Sequence, residues 1–302
     1  MSMWIPITLA AAFAQNLRSA LQKHLKGVMG TTGATFVRFG FGLPFALLYL
    51  ALVFSLTGEP LPDLAPRFWP WLVLGALSQI LATFMLVYLF SFRNFVVGTA
   101  YSRTGAIQTA IVATVLTGAS FNPMAIVAIL VSVTGVMCIS VARTAFSPAA
   151  LITSLASPAA LIGIFSGTAF AFSAVGYRQA TLAVMADSFF LQAAMALVIG
   201  ITFQTLVMLV WMVWRDRAEL AKVVRAWKPA LPAGLAGATA SFGWFAAFTL
   251  QEAAIVKTLA QVEILFTFAA SYFWFGERLN GKEYAGCGLI IAGIIILLTA
   301  GL

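Results

Sequence analysis

The chain has almost none of the groups with which enzymes move protons or hold metals. It contains one histidine, two cysteines and nine acidic residues in 302. His24 lies in a Lys-His-Leu-Lys loop and forms no catalytic dyad in the sequence. Cys138 and Cys287 sit in apolar runs beside small residues, at no metal-ligand spacing, and read as packing residues. No Ser/His/Asp set, metal cluster or Walker motif can be assembled, which excludes an ATP-driven pump within the chain and leaves no call for a cofactor. Charge of either sign is also scarce. Charged residues make up 9% of the chain, against about 25% in a soluble domain.

Apolar residues fill the space that these absences leave. They account for 62% of the sequence, and the mean hydropathy is +1.01. No long polar segment remains to form a catalytic or nucleic-acid-binding domain. The net charge of +8 resides mainly in short loops, where it serves membrane topology against anionic lipid, so a lipid bilayer and no nucleic acid is expected as partner.

Ten apolar runs can be counted, at roughly 4–22, 34–56, 69–91, 95–117, 122–142, 159–182, 187–214, 230–250, 253–276 and 282–301. Each is continuously apolar over about 20 residues without alternation, which predicts spanning helices and not barrel strands. The expected class is an all-α polytopic membrane protein. Met1-Ser2-Met3-Trp4 has no basic leader region, so the first run is expected to be a retained helix. Trp69, Trp71, Trp211, Trp214, Trp227 and Trp274 lie near run ends, where amphipathic rings favour the membrane interface. The odd-numbered loops hold Lys23, Lys26, Arg93, Arg143, Arg215, Arg217, Lys222, Arg225, Lys228, Arg278 and Lys282, whereas the even-numbered loops hold Arg67. By the positive-inside rule the odd loops are cytoplasmic and both termini lie outside. The basic stretch from Trp214 to Lys228 suits a short surface helix that anchors topology.

One constant displacement superposes Gly118 on Gly276, Asn122 on Asn280, Gly135 on Gly293, Ala128 on Gly286 and Ile107 on Leu265. A slightly different one pairs Leu17-Arg18-Ser19-Ala20 with Tyr177-Arg178-Gln179-Ala180. These matches predict two five-helix repeats, 1–146 and 147–302. Five is odd, so the halves insert with opposite orientation, and a central site is expected between them near the bilayer midplane.

The two halves of five helices, the Gly276-Glu277-Arg278-Leu279-Asn280 turn and the glycine-rich run after it resemble the drug/metabolite transporter superfamily, particularly its bacterial EamA-like members. The resemblance spans essentially the whole chain and is specific for fold, not substrate. It implies a secondary transporter in the bacterial inner membrane that exports a small metabolite. Two features depart from the family pattern. Gly118-Ala119-Ser120 stands where relatives often have Gly-Glu-Arg, and relatives usually keep both termini cytoplasmic.

Glu263 carries the strongest functional signal. A carboxylate near the middle of a spanning helix costs about 2.5–3.5 kcal/mol or more, and needs a cation, a proton or a ligand to offset it. The repeat superposes Glu263 on Gly105, Gln261 on Arg103 and Lys257 on Thr99, so Tyr101–Gly105 is expected to face Leu259–Glu263 across the pseudo-twofold axis. Arg103 and Glu263 then form either a permanent salt bridge or a pair that opens for substrate or proton. Buried ion pairs stabilise weakly, which favours the second reading. Lys257 shares a helix face with Gln261 and either meets an anionic substrate group or snorkels to the interface. Arg38 is expected to snorkel or, as the alternative, to join the substrate-binding or coupling site, and Arg18 and Arg178 to anchor helix ends. Trp244, in mid-helix, is either an aromatic cavity wall or a lipid-facing residue. Gln15, Asn16, Gln79, Tyr88, Gln108 and Gln192 either complete the cavity or bond between helices. Stripes that include Ala128, Gly135, Gly286 and Gly293 suit close helix contact within the chain or a homodimer.

Intramembrane cations outnumber the single deep acid, so the expected substrate is a small anion or zwitterion such as an amino acid, moved with proton coupling. Proton-independent exchange, a passive channel and a lipid scramblase are the alternatives.

Overall fold

The computed structural model describes residues 2–92, 101–142, 157–265 and 281–299. The Gly276–Asn280 turn, Trp274, the start of the fourth run, the 146/147 repeat boundary, and Arg93, Arg143 and Arg278 lie outside the described residues. Among the described residues the helices are α1 (Trp4–Leu25), α2 (Thr31–Gly40), α3 (Leu43–Thr57), α4 (Phe68–Leu89), α5 (Gly105–Thr117), α6 (Pro123–Ala142), α7 (Pro158–Thr181), α8 (Phe189–Arg215), α9 (Arg217–Arg225), α10 (Trp227–Leu250), α11 (Ala253–Leu259) and α12 (Gly281–Thr299).

Six of the described segments are long and apolar enough to cross a membrane: α2 with α3, α4, α7, α8, α10 and α12. The chain is therefore a mostly helical, multi-pass membrane protein. The apolar helix α5 is shorter, as is the part Pro123–Ile139 of α6. At 22 residues α1 is long enough, but it carries Gln15, Asn16, Arg18, Gln22 and Lys23. Such a helix has to face protein or water, not lipid.

The second apolar run is split. Its ladder stops at Gly40 and restarts at Leu43, with Pro44 in the first turn, where the missing N–H interrupts least. The following connection is not a plain loop. Strand β1 (Asp63–Leu64) pairs antiparallel with β2 (Val184–Met185), a small correction to the all-helical expectation. Beside it the Glu59 carboxylate accepts the backbone N–H of Asp187 at 3.0 Å and of Ser188 at 3.1 Å, an acid placed at the positive end of α8.

The surface helix expected within Trp214–Lys228 is α9. Its Glu219 carboxylate accepts the Gly30 N–H at the start of α2 and a bond from Lys222 Nζ at 2.6 Å. That bond holds the exposed Lys222 ammonium above its ordinary pKa. Trp214 and Trp227 flank α9, largely exposed, with Arg215 and Lys228 against their rings.

Three helix pairs make the closest lengthwise contacts: α4 with α7, α1 with α10, and α6 with α12. Small residues set these distances, since helices in lipid associate through close packing and not through expulsion of water. A Cβ on Gly135 would lie 2.7 Å from the Gly286 carbonyl oxygen, and one on Gly293 2.9 Å from that of Ala128. The small-residue stripes are thus taken up by α6–α12 packing within the chain. Gly135→Val is expected to force these helices apart at a cost of about 1–3 kcal/mol, lowering the apparent melting temperature in a detergent-solubilised thermal scan.

Candidate functional site

The fourth and ninth apolar runs are both interrupted. The described part of the fourth run is helical at Tyr101–Ser102, turns at Arg103–Thr104, and resumes as α5. The ninth is helical in α11, turns at Ala260–Gln261, and resumes at Val262. Through both turns the backbone bonds are of the tighter i to i+3 kind, from Thr104 N–H to the Tyr101 oxygen and from Glu263 N–H to the Ala260 oxygen. Threonines that bond back to their own helix lie at each break. Thr104 Oγ1 donates to the Tyr101 carbonyl at 2.7 Å, and Thr258 Oγ1 to that of Ala254 at 2.8 Å. Such bonds compete with the helical ladder and bend it.

The two turns bring Arg103 and Glu263 together. Arg103 Nη2 lies 3.3 Å from Glu263 Oε1, with the arginine side chain 38% exposed and the glutamate 8%. The second carboxylate oxygen accepts from Gln15 Nε2 at 3.3 Å, and Gln15 Oε1 accepts from Trp244 Nε1 at 3.0 Å. A polar chain therefore runs from Trp244 through Gln15 and Glu263 to Arg103, joining α10 and α1 to both interrupted segments. Lys257 Nζ sits over the Trp244 ring at 4.7 Å and the Phe170 ring at 5.8 Å. The rings hold this ammonium by cation–π attraction.

These residues line a cavity of about 410 Å³, within the range of small-molecule sites. It extends from Gln15 and Lys257 in the interior to Lys23 and Phe90 at the ends of α1 and α4, and Asn16, Arg18, Ser102, Arg103, Gln261 and Glu263 line it as well. A much smaller cavity of about 20 Å³ continues beyond Gln15, Phe170 and Lys257 to Arg38, Tyr177 and Trp244. Among the residues lining the two, Glu263 is the one acid, whereas Arg18, Lys23, Arg38, Arg103 and Lys257 are basic.

One expectation fails and one open alternative is decided. Arg38 does not snorkel. It is 2% exposed, donating to Thr83 Oγ1 at 2.8 Å and Ser241 Oγ at 3.3 Å, because the break after Gly40 brings it to the bundle centre. Trp244 does not face lipid; it is buried, bonded to Gln15 and stacked on Phe248. Tyr101 is buried against Ala160 and Ile164 and is not among the cavity-lining residues. Gln108 also lies off the cavity, donating to the Ile164 carbonyl at 3.5 Å. Gln79 and Gln192 bond between and beyond helices, to Gln204 and to the Val184 and Ala186 carbonyls.

Two residues stand out for groups left without a partner. Gln261 is buried, and neither its amide oxygen nor its nitrogen is bonded. Arg18, 1% exposed, donates from Nη2 to Ser19 Oγ at a long 3.4 Å and leaves Nε and Nη1 unpartnered. Sequence reasoning treated Arg18 as a helix anchor; the Gln15-Asn16-x-Arg18 cluster inside an apolar run was the available signal. Arg178, its match in the repeat reading, differs. It donates to the carbonyls of Phe248 and Gln251 and to Glu252 at 2.7 Å, tying the end of α7 to the end of α10.

Residues 157–299 match the model of the EamA-like transporter family. A crystal structure of a protein 13% identical in sequence superposes with a TM-score of 0.68, covering 99% of this chain and 98% of the other, which establishes a shared fold. No curated protein matches the chain.

The exposures of the pair predict unequal mutants. Arg103→Ala removes a cation from a buried carboxylate and is expected to destabilise the protein by about 1–3 kcal/mol. Glu263→Gln leaves a partly hydrated guanidinium and should cost less. Thermal scans of the two variants in the same detergent check the order.

Proposed function

We propose that the chain, whose residues 157–299 match the EamA-like transporter family, is a secondary exporter of a small organic anion or zwitterion, driven by proton exchange at Glu263. The observation that carries this reading is the meeting of Arg103 and Glu263 at two interrupted helices on the wall of a cavity. Irregular backbone at membrane depth is tolerated where it lines a cavity, and transporters build their binding sites from such discontinuous helices.

An inverted repeat of two five-helix halves is part of the proposal. Under it α1 corresponds to α7 and α4 to α10, so the α4–α7 contact has α10–α1 as its mate and α6–α12 is its own. The three most extensive helix contacts fit this pattern, and the equivalent breaks support it further.

The basic odd-numbered loops support a cytoplasmic position for the Lys23 end of the cavity. At the other end the β1–β2 pair, the Glu59 contacts and the Arg178–Glu252 network bind the described elements together. A barrier at one end and a cavity reaching the other favour alternating access over a passive channel.

In the cycle, Glu263 exchanges its pairing with Arg103 for a proton. Its neutral form no longer holds the two interrupted helices together, and the halves rearrange. Glu263→Gln should fold normally yet lose uptake driven by a proton gradient in proteoliposomes by at least tenfold, while counterflow of substrate persists. Gradient-driven uptake equal to wild type, with unchanged pH dependence, would refute the coupling.

A further inference from the structure

The cavity holds more positive charge than its carboxylate can balance, and the excess is placed for a ligand. Glu263 answers Arg103. Arg18, Arg38 and Lys257 have no carboxylate bonded to them among the described residues. Arg18 and Arg38 also approach each other across α10. The position that a Gly237 Cβ would occupy lies 3.6 Å from Arg18 Cδ and 3.2 Å from Arg38 Cγ. Two like charges buried side by side raise each other's cost, which is already high in a bilayer interior.

The hydrogen-bond census narrows the ligand. Arg38 has two hydroxyl partners, leaving Nε–H. Arg18 lines the cavity and leaves Nε and Nη1 unbonded, and a guanidinium presents these donors in one plane at the spacing of two oxyanion oxygens. Gln261, on the wall of the same cavity, offers a free amide N–H as well. Lys257 supplies a third positive group whose aromatic supports satisfy its charge but accept no conventional hydrogen bond. The rest of the wall sets the apolar Leu86, Ala106, Phe170 and Ile264 beside the polar Asn16, Ser19, Ser102 and Thr109. Unpaired cationic donors beside an apolar stretch of wall describe a receptor for an anion with a hydrocarbon body.

We infer that the cavity takes a small organic oxyanion, a carboxylate or phosphate ester with net negative charge, whose oxygens are bound by Arg18, Gln261 and Lys257. The inference rests on the reading of this cavity as the transport path, and selects the anion over the zwitterion. Arg18 is thereby a binding residue, and its unbonded nitrogens are satisfied when the site fills. An amino group on the substrate is not required, because Glu263 is already engaged with Arg103 and Gln15.

The test is equilibrium binding to the purified full-length protein in detergent, with benzoate, phenyl phosphate, neutral benzamide, phenylalanine and phenethylammonium as probes. Benzoate or phenyl phosphate should bind at least tenfold more tightly than benzamide, phenylalanine or phenethylammonium, a loss typical of an unanswered charged donor. Whichever of the two anions binds more tightly identifies the head group. Arg18→Gln should weaken the preferred anion at least tenfold, and Arg18→Lys, which keeps charge without the planar donor pair, should fall between. Lys228→Gln, a surface charge control, should match wild type.

Benzamide, phenylalanine or phenethylammonium binding as tightly as the anions would overturn the inference, as would no anion binding, or a folded Arg18→Gln with unaltered affinity. If Arg18→Gln fails to elute as a folded species, Gln261→Leu decides: weaker anion binding supports the assignment and unchanged binding sinks it. The outcome is separable from the transport reading, since anion binding with no proteoliposome flux refutes only the latter.

Discussion

A backbone inside a bilayer has to satisfy its own hydrogen bonds, and this chain interrupts two apolar runs beside one cavity. The interruption is tolerable only because the broken turns face a polar cavity and not lipid. That one constraint fixes much else. Each turn re-aims its side chains, and Arg103 and Glu263, which belong to different runs, converge. The carboxylate then needs further donors on the far side, and Gln15 supplies one from α1. Gln15 is itself held by Trp244, so α10 is drawn into the same network. The polar sequence of α1 is a consequence, since a helix presenting Gln15, Asn16 and Arg18 to this space cannot be as apolar as its neighbours.

The network also explains why the pair is a poor stabiliser. Arg103 is more than a third exposed, and the contact is a single 3.3 Å approach, not a bidentate clamp. Screening and desolvation leave little net gain from such a contact. Stability comes instead from the small-residue faces, where α6 and α12 approach closely enough that a Gly135 side chain would strike backbone. The division of labour is physical: tight apolar packing holds the helices, and weakly held charges line the cavity among them.

Much of this was legible in the chain itself. The apolar runs imply the helices, and the displacement that superposes Gln261 on Arg103 sets Arg103 and Glu263 on facing segments. The family match over 157–299 accords with the resemblance read from the sequence. The breaks were harder to see. Thr104 and Thr258 look like ordinary helix residues, and only their back-bonding reveals the turns. Arg38 misled because depth was counted along an uninterrupted helix, whereas the chain breaks after Gly40. Trp244 was ambiguous for a different reason. A mid-helix tryptophan faces lipid or protein according to its neighbours' size, and here Gln15 from a remote segment decides it. The β1–β2 pair had no signal, since two residues per strand carry no periodicity.

Arg18 is the instructive omission. On the proposed repeat it corresponds to Arg178, so one residue type occupies one register in both halves. Arg178 has two helix-terminal carbonyls and Glu252 around it and leaves Nε alone unbonded. Arg18 is the more deeply buried and yet keeps two nitrogens unbonded. Were both arginines there only to anchor helix ends, burial would demand partners most strongly at Arg18, and the opposite is seen. The deeper guanidinium is the less satisfied one, beside a second buried arginine and on the wall of a cavity large enough for a small molecule. On the proposed reading, the partner that burial requires is the ligand, and the charge it carries is negative.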